Sequence, residues 1–183
     1  MKTIQKLKIF SLLMAMPFVT HADLHCPSGS GRLLDVSGTS TASTSPSTEI
    51  QSGVMHLTLS DASGVVYEKD CGLIGKIVKE TVTESLLDHT VICSPKDSFN
   101  TSGDVATVTG AVPPIFNIKE LISNIKEGEG FFKNMKVEME ATGTINLAPF
   151  PDLVPDPDPL EPLTLTVENS FTLTGQVCVK HNN

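Results

Sequence analysis

Residues 54–69 read VMHLTLSDASGVVYEK, and this stretch decides the class of fold. Met55, Leu57 and Leu59 fall on one side of an extended chain, with His56 and Thr58 on the other, the period of two that marks a half-buried strand. Asp61-Ala62-Ser63-Gly64 has the chemistry of a tight turn, and Val65, Val66 and Tyr67 begin a returning strand. Val54–Lys69 therefore reads as a β-hairpin.

The same alternation continues along the chain. Leu87, His89, Val91 and Cys93 share one side against Asp88, Thr90 and Ile92, and residues 104–112 form a β-branched run. Met135, Val137, Met139 and Ala141 alternate with Lys136, Glu138 and Glu140, and Leu163, Leu165, Val167, Phe171, Leu173, Val177 and Val179 keep one parity. Residues 73–83 mix helical and strand spacing, and their β-branched content decides for strand. Thr109-Gly110, Thr142-Gly143 and Thr174-Gly175 recur at spacings of 33 and 32 residues, with Ser37-Gly38 as a related pair. Glycine inside a strand permits the bulge or close backbone contact that a strongly curved sheet requires.

One segment carries a different period. Ile118, Leu121, Ile122 and Ile125 fall at i, i+3, i+4 and i+7, Asn117 and Glu120 form a reciprocal capping pair, and Gly128 supplies a stop. A short amphipathic helix is predicted over 117–126. The fold expected from these patterns is all-β or β-dominated, an antiparallel β-sandwich or partly closed β-barrel with that one helix packed on it.

Two polar stretches interrupt the alternation. Residues 37–48, SGTSTASTSPST, lack large apolar side chains and read as a solvated connector, with a flexible arm or polar edge strand as the alternatives. Residues 148–162, APFPDLVPDPDPLEP, hold six prolines and four acids and read as an extended loop. Its length makes Phe150, Asp152, Leu153, Asp156 and Asp158 the first candidates for an interaction surface. The same acids do not read as a calcium site, because alternating prolines splay the carboxylates.

Location follows from residues 1–22. Lys2, Lys6 and Lys8 precede an apolar run, Ile9 to Val19, too short to span a bilayer, and Thr20 and Ala22 place small residues before a cleavage point. This reads as a signal peptide, leaving residues 23–183 as one exported domain in the periplasm or extracellular space, with no span across a membrane. The remainder holds 10 basic and 21 acidic residues, a formal charge of −11 that repels nucleic acid.

Four cysteines in an exported chain imply two disulfides. Three pairings are open; Cys71–Cys93 with Cys26–Cys178 is favoured, one closing a compact loop and the other joining the chain ends. Neither a zinc cluster nor a thiol oxidoreductase is expected, since no C-x-x-C occurs. No cofactor is expected either, with one exception. A chain beginning Asp23-Leu24-His25 presents an amine, two amides and an imidazole, four nitrogens suited to square-planar Cu(II) or Ni(II), with Asp23 and His25 as the named ligands.

No nucleophile elbow, glycine-rich phosphate loop or dinucleotide fingerprint is present, so a non-catalytic role is expected ahead of an enzyme. The leading expectation is an exported binding or interaction module acting through 148–162 on a protein or envelope component. The alternative is a carrier of a small apolar ligand inside a β-barrel, and a hydrolase of unrecognised type comes third. A cavity lined by Phe116, Phe131 and Phe132 favours the carrier, and a filled core favours the surface module.

Overall fold

The structure, a computed structural model, describes Leu24, Cys26 and residues 31–45, 48–81, 83–112, 115–146 and 167–180. Among the described residues ten strands form one antiparallel sheet: β1 (Gly31–Ser45), β2 (Ile50–Asp61), β3 (Gly64–Glu80), β4 (Glu84–Ser94), β5 (Asp97–Thr101), β6 (Asp104–Val112), β7 (Ile115–Ile122), β8 (Ile125–Glu129), β9 (Lys136–Asn146) and β10 (Val167–Lys180). The hairpin from 54 to 69 lies within β2 and β3, with Gly64 in the left-handed half of φ space at +118° where the turn ends.

Neighbouring strands run in the order β3-β2-β1-β10-β9-β7-β6-β4-β5-β8, and a further β3–β4 pairing joins eight of them into a ring. Closure is partial because β4 divides. Its first half, Glu84–Leu87, pairs with β6, whereas Thr90–Ser94 pairs with β5, which in turn carries β8. The first half of β3 pairs with β2 and not with β4, so that side of the barrel is covered by side chains.

A strand wall has two faces, and here the apolar one turns inward. Leu34, Leu57, Leu59, Val91, Leu173 and Val177 are among the most deeply buried residues, while Asp35, Ser37, Thr39 and Thr41 along β1 are exposed. Where the ring is incomplete, Phe132 sits edge-on to Phe99, Tyr67 and Phe131 at centroid distances of 4.9, 5.2 and 5.4 Å and plugs that end.

Curvature draws on the glycines. Gly175 has φ +136°, a region that L side chains rarely adopt, and a Cβ at Gly143 would run into the Ser170 carbonyl oxygen. At the first Thr-Gly pair, Thr109-Gly110, the β6–β7 register slips between Val108 and Gly110, a bulge that bends the wall.

Two sequence readings are corrected. Residues 117–126 are not a helix but the body of β7 and the start of β8, and a 3-10 turn at Gly130–Phe132 is the one helical element among the described residues. Ile118 and Ile122 satisfy both periods, since a spacing of four is also an even number. Pairing with β6 and β9 on both sides decides for strand. The polar run 37–48 is likewise not a connector. As far as Ser45 it is β1, held between β2 and β10. Its Ser and Thr alternate as any strand does, with Ser40 and Ala42 buried on the parity of Leu34 and Val36.

Disulfides join Cys26 to Cys178 and Cys71 to Cys93. Two such bonds are typical of proteins from oxidising, exported compartments. No helix among the described residues is long and apolar enough to cross a membrane.

Phe132 is fully buried. Phe132→Ala should cost about 3–5 kcal/mol, read as a lower urea midpoint at unchanged slope.

Candidate functional site

Filling is uneven along the barrel. At the end where β1 and β3 finish and β2, β4 and β10 begin, a cavity of about 570 Å³ opens to solvent. Its walls are Ile77, Leu87, Val108, Phe116, Ile145 and Phe171. From β1 the cavity receives Thr44 where the filled end of the barrel receives Leu34 and Val36, and a small side chain leaves volume unoccupied. Of the three phenylalanines expected around a cavity, Phe116 is in its wall. Phe131 and Phe132 belong to the aromatic plug.

Gln51 on β2 and Glu120 on β7 form a polar floor, and behind them His89 on β4 contacts both, with Asp104 at the start of β6 and Thr101 at the end of β5; all five are buried. Gln51, Gly75 and His89 are register partners across β2, β3 and β4, so the absent side chain of Gly75 leaves room for its neighbours to meet. His89 Nδ1 lies 2.8 Å from Asp104 Oδ2 and 3.5 Å from Glu120 Oε1, and its Nε2 faces Gln51 Oε1 at 3.4 Å. The Thr101 hydroxyl donates to Asp104 Oδ2 and accepts the backbone N–H of His89 at 3.1 Å. The turn that delivers Asp104 is set by Gly103, at φ +70°, whose N–H donates to Asp88 on the outer side of β4.

The cluster is short of donors. Asp104 Oδ1 and Glu120 Oε1 are buried without a hydrogen-bond partner, as is Oδ1 of Asn169 in the cavity wall, whose Nδ2 donates to Thr44 Oγ1 at 2.8 Å. Burial disfavours a charged His89. The Asp104 hydrogen bond and the charges of Glu120, Asp104 and Asp88 outweigh that and hold its pKa above 6.5. Burial raises Glu120 above 4.5; His89 opposes the rise and Asp104 adds to it.

Three kinds of chemistry bear on this arrangement. One ligand atom each from His89, Asp104 and Glu120 lies within 4.8 Å of the others, a set that a divalent ion accepts. However, Nδ1 is already engaged with Asp104, and its proton must leave before it ligates. Hydrolysis needs a hydroxyl at the imidazole, but Nε2 faces an amide and the Thr101 hydroxyl is committed to Asp104. Holding a ligand needs only the cavity and its unpaired acceptors.

Among the residues singled out in the sequence, Asp23, His25 and the loop residues Phe150, Asp152, Leu153, Asp156 and Asp158 lie outside the described residues. The floor residues were not singled out as a site, although a signal existed. His89 alternates with Leu87 and Val91, Gln51 shares the parity of Met55 and Leu57, and Glu120 lies between Ile118 and Ile122. Each is a polar residue on an apolar strand face. Glu120 was hidden because a helix period assigns it to a cap. No family model, curated protein sequence or solved structure is similar to this chain, so the site itself carries the functional argument.

A Cβ at Gly75 would lie 2.8 Å from His89 Cδ2 and 2.9 Å from Gln51 Oε1. Gly75→Ala should displace both side chains and cost about 1–3 kcal/mol in denaturant unfolding.

The raised pKa values also predict a pH dependence. Both groups contribute stability that is complete below their ordinary values, 6.5 for His89 and 4.5 for Glu120, and that is lost as pH rises through the raised ones. Asp61 has the opposite sign. Held down to about 2 by Ser63 and Arg32, it loses its contribution as pH falls below 3.8. Glu120→Gln has no proton to lose. Its melting temperature should match the wild type at about pH 4 and exceed it at about pH 8; parallel curves would remove Glu120 as a source.

Proposed function

We propose that this protein is an exported, non-catalytic carrier that holds a small, largely apolar ligand in the open end of its barrel. The observation that carries this reading is the cavity of about 570 Å³, within the roughly 300–1,000 Å³ typical of sites for small organic molecules. Its apolar wall supplies affinity through area removed from water, while polar groups confined to the floor and rim orient one end of the ligand. Export is supported by the two disulfides, which persist in oxidising compartments. Surface binding through 148–162 rests on residues outside the described ones, whereas the carrier reading rests on a formed site.

The neutral fluorophore N-phenyl-1-naphthylamine tests this. It should bind saturably at one site with a blue-shifted emission. Ala106 faces the cavity and is half-buried, so Ala106→Trp should fill the space and weaken binding by about tenfold or more. Absence of binding to the wild type, or equal binding to the variant, would sink the proposal.

A further inference from the structure

We infer that the ligand is an apolar amine and that its ammonium group docks on Glu120 at the cavity floor. This rests on the carrier reading and narrows it to one ligand chemistry.

The first argument is charge. Glu49, Glu80 and Glu84 stand exposed at the rim and Glu120 is buried at the floor, while no lysine, arginine or histidine lines the cavity among the described residues. Fields of one sign focused into a low-dielectric cleft draw in the opposite charge. A carboxylate-headed ligand would meet repulsion from Glu49, Glu80 and Glu84 at the mouth.

Hydrogen bonding supplies the second argument, independent of the first. Glu120 Oε1 and Asn169 Oδ1 are buried acceptors that receive no hydrogen bond, and both residues line the cavity. An ammonium group brings three donors and no acceptor, the complement of that surplus. An alcohol brings a single donor to the two acceptors and no charge to pair with the carboxylate.

The third argument is the bookkeeping of charge in the buried cluster. His89 is bonded to Asp104 at 2.8 Å, so the charge of the ring is matched by that carboxylate, and Glu120 is the second acid against a single imidazole. Burial favours the neutral carboxylic acid until a cation arrives. A bound ammonium then replaces the proton and forms the paired, hydrogen-bonded state that a buried charge requires.

Competition against the bound fluorophore at about pH 7.5, where an alkylamine is cationic, tests the assignment with n-octylamine, n-octanol and n-octanoate. Octylamine should displace the probe at a concentration about tenfold lower than octanol, with octanoate the weakest. Glu120→Gln should remove most of the amine's advantage and leave octanol unchanged, and octanol binding also reports that the variant is folded. If the probe and all three octyl compounds fail to bind, the carrier reading itself falls. If octanol binds and octylamine binds no better, or keeps its advantage in Glu120→Gln, the carrier stands and this inference is overturned. Stabilisation of the fold by Zn²⁺ but not by octylamine would assign the cluster to a metal and overturn it as well.

Discussion

Pairing of β3 with β4 is the interaction on which the rest of the structure depends, because it turns a ten-stranded sheet into a tube. The ladder starts at Gly72 and Ile92, and the Cys71–Cys93 disulfide lies at the next rung, so the covalent bond sits where closure begins. A tube has an inside, and period-two alternation then sends every second residue of eight strands to one shared interior. Without the β3–β4 ladder, Gln51 on β2 and His89 on β4 would belong to separate parts of an open sheet. With it, they face one another across Gly75.

That interior is divided by side-chain volume. Toward the aromatic plug, Leu34, Leu59, Phe99, Phe132 and Val177 fill it. Toward the other end, β1 offers Thr44 to the cavity, beyond the buried Ser40 and Ala42, and the wall encloses more space than its side chains occupy. The least informative stretch of the sequence thus has a specific consequence. A Ser/Thr-rich strand at the centre of a barrel wall keeps its hydrogen-bond ladder intact and supplies little bulk.

The buried polar cluster lies at the boundary between the filled and open halves. Taking His89, Asp104 and Glu120 out of water is costly, and hydrogen bonds from Thr101 and the imidazole satisfy only part of it. A core built for stability alone would place apolar residues there. Polar groups kept at this depth, with acceptors left over and a cavity beside them, are arranged as binding sites are, apolar around the body of a ligand and selective at one end.

Much of this was legible in the residues themselves. Strand period, turn chemistry at 61–64, glycine positions and even cysteine count depend on neighbours in sequence, and they determined an all-β, disulfide-bonded, curved sheet. Even there, Ile118 and Ile122 fitted two periods, and only pairing with β6 and β9 separated them. The site was less legible, because a polar residue on an apolar face signals that something is unusual without saying what it meets. His89 is 15 residues from Asp104 and 38 from Gln51, and which of them share an interior is a property of strand order and closure. Along the strands with clear alternation, the sequence by itself determined which side chains share a face, since alternation is local. The tertiary structure alone decided that those side chains surround a cavity and converge on one cluster, since only the closed ring brings distant strands within hydrogen-bonding reach.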